Sequence, residues 1–134
     1  KNLVRQYPIG LGFNPKGTKS REGDGATPEG NYYITHKNPK SNYYLSLGIS
    51  YPNANDADRG LNAGLIDQST RQAIIKAQQN QSKPPQKTAL GGEVFIHGHG
   101  SSRDWTWGCV ALDDTNMKEL FSIIPERTPI QIQP

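Results

Sequence analysis

The clearest alternation of apolar and polar positions runs through YYLSLGISYP, where Tyr43, Leu45, Leu47, Ile49 and Tyr51 fall on one face. That period of two predicts a half-buried strand over 43–52. The aromatic and β-branched content of NYYITHK (31–37) predicts another. Residues 3–13 alternate loosely and read as a strand entering a turn at GLGF. EVFIHG (93–98) reads as a short buried strand and TPIQIQP (128–134) as a terminal one. Helical spacing occurs twice. Residues 65–81 carry Leu65, Ile66, Ala73, Ile74 and Ala77 as a narrow stripe, with Asp67 or Ser69 as N-cap. Residues 115–124 carry Met117, Leu120, Phe121 and Ile124, with Asp113 or Asp114 as cap. The stretches between are rich in Gly, Pro, Asn and Asp. They predict a long loop over 14–30, a turn at NPKSN (38–42), a polar turn at NANDADRGLNAG (53–64) and a break at SKPPQKTALGG (82–92). The sum is a mainly β fold of mixed sheets with two short helices.

Composition supports this picture. A length of 134 residues suits one domain, and 14 Gly and 10 Pro imply many turns. The formal charge of +3 is mild and the basic residues are dispersed, which argues against a nucleic-acid partner. The tightest basic cluster, KGTKSR (16–21), reads as a solvated loop. No apolar run approaches the length of a membrane span or signal peptide. The chain does not begin with Met and reads as a mature or trimmed piece.

The candidate chemistry sits in IHGHGSSRDWTWGC (96–109), which holds the only cysteine and two of the three histidines. A thiol is a strong nucleophile only as thiolate, so it needs a base or a positive field beside it. His97 ends an apolar strand. Cys109 ends a loop in which Gly108 permits a sharp turn, where the Gly108 and Cys109 amides can face an oxyanion. Two other readings of the same residues stand beside this one. A free cysteine in GCVAL is often a buried small hydrophobe. His97, His99 and Cys109 also suggest a metal site, but Gly98 and Gly100 loosen its geometry and no fourth ligand is evident.

At these residues the chain resembles the L,D-transpeptidase catalytic domain of the YkuD type. The resemblance rests on FIHG (95–98), on TWGCV (106–110) and on GDGATPEGNYYI (23–34), and spans most of the chain. Within that family the chain looks like the branch whose cysteine motif reads Trp-Thr-x-Gly-Cys. The resemblance implies a YkuD-like β-sandwich over 1–134 with a helical insertion at about 53–92. It also implies Cys109 as nucleophile, His97 as its base, Gly98 as the position that orients the imidazole, and Gly108 with the Cys109 amide as oxyanion donors. Arg103 matches a loop position near the substrate carboxylate. His99, Trp105 and Trp107 are expected to line the site. Two departures stand out. Trp107 replaces the histidine that many members place before Gly-Cys, and Ala111 replaces their Asn or Arg. Both bear on substrate orientation and acceptor choice.

The implied activity is acyl transfer on peptidoglycan stem peptides in the periplasm or cell envelope, serving wall biogenesis and cell shape. No metal or organic cofactor is implied. Acceptors include a second stem, a wall-attached protein or an amino acid. Two rivals are an L,D-carboxypeptidase or amidase hydrolysing the same type of bond, and a peptidoglycan-binding module without catalysis.

Overall fold

The computed structural model describes residues 4–134. Two long strands form its spine, β1 (Gly30–Ser41) and β2 (Tyr44–Ile49), paired antiparallel. Two helices follow, α1 (Ala54–Asn62) and α2 (Gln68–Gln79). The chain then returns as β3 (Phe95–His97) and β4 (Val110–Ala111), continues into α3 (Asp114–Ile123) and ends in β5 (Pro129–Ile132). The five strands form one curled mixed sheet in the order β4-β3-β2-β1-β5, with β3 and β4 its parallel pair.

This bears out the β-rich fold and the long loop over 14–30, and several local expectations are corrected. The turn expected at NPKSN is largely strand. Register shifts at Ile34/Lys37 and Asn38/Ser41 take up the irregularity around Pro39, so β1 reaches Ser41 and the turn shrinks to Asn42 and Tyr43. The strand expected over 3–13, of which residue 3 lies outside the described residues, reduces to isolated bridges at Gly10 and Gly12. Its amides divide between partners: Gly10 and Phe13 donate to the Ala111 and Thr106 carbonyls, whereas Leu11 donates to Asp104 Oδ1 and Gly12 to Thr27 Oγ1, each of the last two at 2.9 Å. The polar turn at 53–64 is helix α1, which makes three helices rather than two among the described residues. Its signal is a capping box, Asn53 with Asp56, rather than an apolar stripe.

Two hydrophobic clusters hold the sheet. One, built on Tyr32, Ile49, Tyr51, Ile74 and Leu90, seats the helical segment between β2 and β3. The other, built on Ile34, Leu47, Leu112 and Met117, seats α3. Ile96 and Ile130 pack against both. Polar ties reinforce the first: Tyr51 Oη donates to the Leu90 carbonyl at 2.7 Å and Gln78 Nε2 to the Ser50 carbonyl at 2.8 Å.

Candidate active site

His97 ends β3, and the β3–β4 ladder pairs Ile96 with Val110 and His97 with Ala111. Cys109, the residue before β4, therefore lies level with Phe95, two residues before His97 on the neighbouring strand. The thiol contacts confirm this level: the Phe95 amide donates to Sγ at 3.3 Å, and Sγ lies 3.6 Å from the Glu93 carbonyl oxygen. Burial pushes the thiol pKa up, while the Phe95 amide and the Lys19 ammonium pull it down without winning. The resting group is a thiol, and a base must take its proton.

His97 is 2% exposed and firmly held. Its Nδ1 lies 2.7 Å from the Gly98 carbonyl oxygen. A carbonyl only accepts, so Nδ1 carries the hydrogen and Nε2 keeps its lone pair. The Tyr43 ring stacks on the imidazole at 4.5 Å, and Trp105 meets it edge-on at 5.6 Å. Burial lowers the imidazole pKa, against the opposing pull of the Gly98 carbonyl, so the ring is neutral near pH 7. Among the described residues no hydrogen bond joins His97 to Cys109 in this conformation.

The loop between them is braced at both ends. Gly98 donates to the Tyr43 carbonyl at 2.9 Å, and a Cβ there would meet Asp114 Oδ1 at 2.5 Å. The same Asp114 oxygen accepts the His99 amide at 2.8 Å. Asp113 occupies the N-cap of α3, but its carboxylate accepts from Ser101 N–H and Oγ rather than from the helix. At the far end, Thr106 Oγ1 donates to the Cys109 carbonyl at 2.7 Å and accepts the Gly108 amide at 3.1 Å. The Gly108 N–H thus already has a partner in Thr106, beside its expected place as an oxyanion donor. Gly108 also shapes the turn, with φ at 139° and the Ala26 carbonyl 2.7 Å from where a Cβ would stand.

The remaining candidates separate. Trp105 packs, with Nε1 donating to the Gly100 carbonyl at 3.0 Å. Trp107 is 68% exposed, meets Phe13 edge-on at 4.7 Å and forms a wall of the thiol cleft. His99 is exposed, with its ring edge-on to Tyr43. Arg103 is exposed and lies outside the lining of that cleft. The cleft, about 300 Å³, takes in Cys109, Gly108, Trp107, Glu22, Glu93 and Lys19. A larger, apolar cavity of about 350 Å³ lies along Ile49, Ile96, Val110 and Ile130 and contains no thiol or imidazole.

Sequence reasoning missed Lys19 and the positioning role of Tyr43. Lys19, read as part of a solvated loop, is 4% exposed and pairs with Asp24 at 3.1 Å. Spacing carried no signal for either residue. The Thr of TWGC, by contrast, was in plain view as part of the motif.

The YkuD family model, described as the L,D-transpeptidase catalytic domain, matches residues 1–132. The chain belongs to this family. Solved structures agree on the fold. The helical cell shape determining protein Pgp2 from Campylobacter jejuni is 27% identical, with TM-score 0.58 over 92% of this chain and 35% of its own. Bd1075 from Bdellovibrio bacteriovorus is 24% identical, with TM-score 0.55 over 97% of this chain and 38% of its own. An L,D-transpeptidase from Mycobacterium smegmatis is 12% identical, with TM-score 0.53 over 98% of this chain and 49% of its own. The YkuD chain described here thus spans between a third and a half of the length of these relatives. A search of curated proteins finds no match.

Proposed function

We propose that this YkuD domain performs cysteine-dependent acyl transfer on peptidoglycan stem peptides. The observation that carries the reading is that the β3–β4 ladder brings Cys109, the residue just before β4, beside the strand that ends in His97, whose imidazole Nε2 is left free to accept a proton. In the proposed reaction Nε2 takes the thiol proton, and the Cys109 sulfur attacks the carbonyl of the diamino acid at position three of a tetrapeptide stem. The C–N bond to the terminal D-alanine breaks, and its amine takes the proton from His97. An amine acceptor then attacks the thioester, gives a proton to His97 and frees the sulfur, which recovers it. With Gly108 N–H occupied, the Cys109 amide is the oxyanion donor this scheme retains.

The setting we infer is the periplasm or cell envelope, with a role in cell shape like that in the name of Pgp2. We read residues 53–92 as a helical insertion beside this catalytic core.

The test is mass spectrometry of products from purified disaccharide-tetrapeptides, with and without an amine acceptor. Loss of D-alanine with gain of the acceptor is the expected result. Loss of D-alanine alone, even with acceptor present, makes the domain an L,D-carboxypeptidase. Cys109→Ala is expected to abolish either product; turnover surviving in that variant overturns the nucleophile assignment.

A further inference from the structure

The cation of the thiol cleft is neither the arginine nor the histidines of the 97–109 loop. It is Lys19, from the loop that precedes β1. Its side chain is only 5% exposed. Its Nζ lies 3.6 Å from where a Cβ on Gly108 would stand, so the ammonium abuts the residue that precedes the thiol. Both residues line one cleft.

The ammonium is held in place from behind. Asp24 Oδ1 accepts from Nζ at 3.1 Å and from the Ala26 amide at 3.1 Å. Asp24 Oδ2 accepts the Ser20 and Arg21 amides and the Ser20 hydroxyl. The aspartate charge is therefore shared among several donors, while Lys19 has three N–H groups and spends one on Asp24. Two other carboxylates, Glu22 and Glu93, line the cleft, but both are exposed and screened by water. Lys19 is the enclosed cation of the cleft, and its partner Asp24, itself largely enclosed, stands outside the cleft lining.

We propose that Lys19 is the substrate anchor of this cleft, receiving a carboxylate of the group that reacts with Cys109. The inference rests on the reading of Cys109 as nucleophile and moves the carboxylate-binding role from exposed Arg103 to enclosed Lys19. Its downward pull on the thiol pKa accords with an ammonium in the same cleft as the sulfur.

Cys109 is the only thiol, so its alkylation is unambiguous. The test compares iodoacetate, an anion, with iodoacetamide, its neutral analogue, on the wild-type chain, Lys19→Met and Lys19→Arg. Rates are taken across pH until thiolate formation is complete. The expected result is a fall of about fivefold in the iodoacetate-to-iodoacetamide ratio for Lys19→Met, with the ratio retained in Lys19→Arg. Asp24 keeps its backbone donors in Lys19→Met, which favours folding; circular dichroism checks this. A folded Lys19→Met with an unchanged ratio overturns the proposal. So does an equal slowing of both reagents, because the lysine then acts on the sulfur and not on the incoming anion. Should Lys19→Met fail to fold, protection of the wild-type thiol decides. Acetate is expected to slow iodoacetamide labelling where N-methylacetamide and sodium chloride at equal ionic strength do not, and no protection by acetate overturns the proposal. The two readings fail separately. Stem-peptide turnover without the ratio change removes only the anchor, whereas the ratio change without turnover removes the nucleophile and leaves Lys19 as an anion-binding group beside an unreactive thiol.

Discussion

Gly108 carries two local constraints at once. Its φ of 139° is closed to ordinary side chains, and the Ala26 carbonyl occupies the space a methyl group needs. Gly108→Ala is expected to cost about 2–4 kcal/mol, read from urea unfolding, and to reduce turnover more steeply than stability explains. The pH behaviour also belongs to single residues. Burial lowers the His97 pKa, so the ring stays neutral until the pH drops below the ordinary imidazole value. A reaction that needs neutral His97 is therefore expected to hold its rate through mildly acidic pH, with the acid limb of kcat/KM inflecting below that ordinary value. The Cys109 thiol shifts the other way, so alkylation without substrate is expected to climb with pH through a midpoint above that of a free cysteine. An inflection at or above the ordinary imidazole value would remove His97 as the base that sets the profile.

At the scale of elements, α1 shows where hydrophobic patterning stops informing. Asp56 is 4% exposed and accepts from the Asn53 amide at 2.9 Å, from Tyr32 Oη at 2.7 Å and from the Arg59 guanidinium. Asp56→Ala removes the reciprocal cap and leaves the Tyr32 hydroxyl unpaired. It is expected to cost about 2–4 kcal/mol, against about 1 kcal/mol for Asn53→Ala, in the same urea titration. The α1 residues carry little apolar periodicity, and Ala57 is the sole apolar side chain of the helix that is buried. Helix α2 was legible because Ile74 and Ala77 mark its inner face and Asp67 caps it, accepting the Thr70 amide at 2.8 Å. The alternation before β1 misled because the ladder it would need is interrupted: Gly10 and Phe13 donate to backbone carbonyls, but the Leu11 and Gly12 amides between them answer to the Asp104 and Thr27 side chains, partners remote in sequence.

Across the whole molecule, Ile96 and Ile130 pack against both hydrophobic clusters and so link the two. Near-ultraviolet and far-ultraviolet circular dichroism are expected to report one coincident thermal transition, and Ile96→Ala to lower it as a unit by about 2–3 kcal/mol. Separate midpoints would show that the helical segment melts apart from the sheet. The site divides along the same line between local and global. His97, Gly98, Gly108 and Cys109 share one stretch of chain and could be read together, whereas Lys19 reaches the cleft from some ninety residues upstream. Only folding sets its ammonium against Gly108, so the sequence offered KGTKSR as solvent-facing. One further consequence follows from the two tryptophans. Trp105 is tied to the Gly100 carbonyl, while Trp107 stands in solvent at the mouth of the cleft, edge-on to Phe13. The domain thus carries a native optical probe two residues from the sulfur, with a second indole as its steady background. Occupancy of the cleft should be visible as a change in emission without any label.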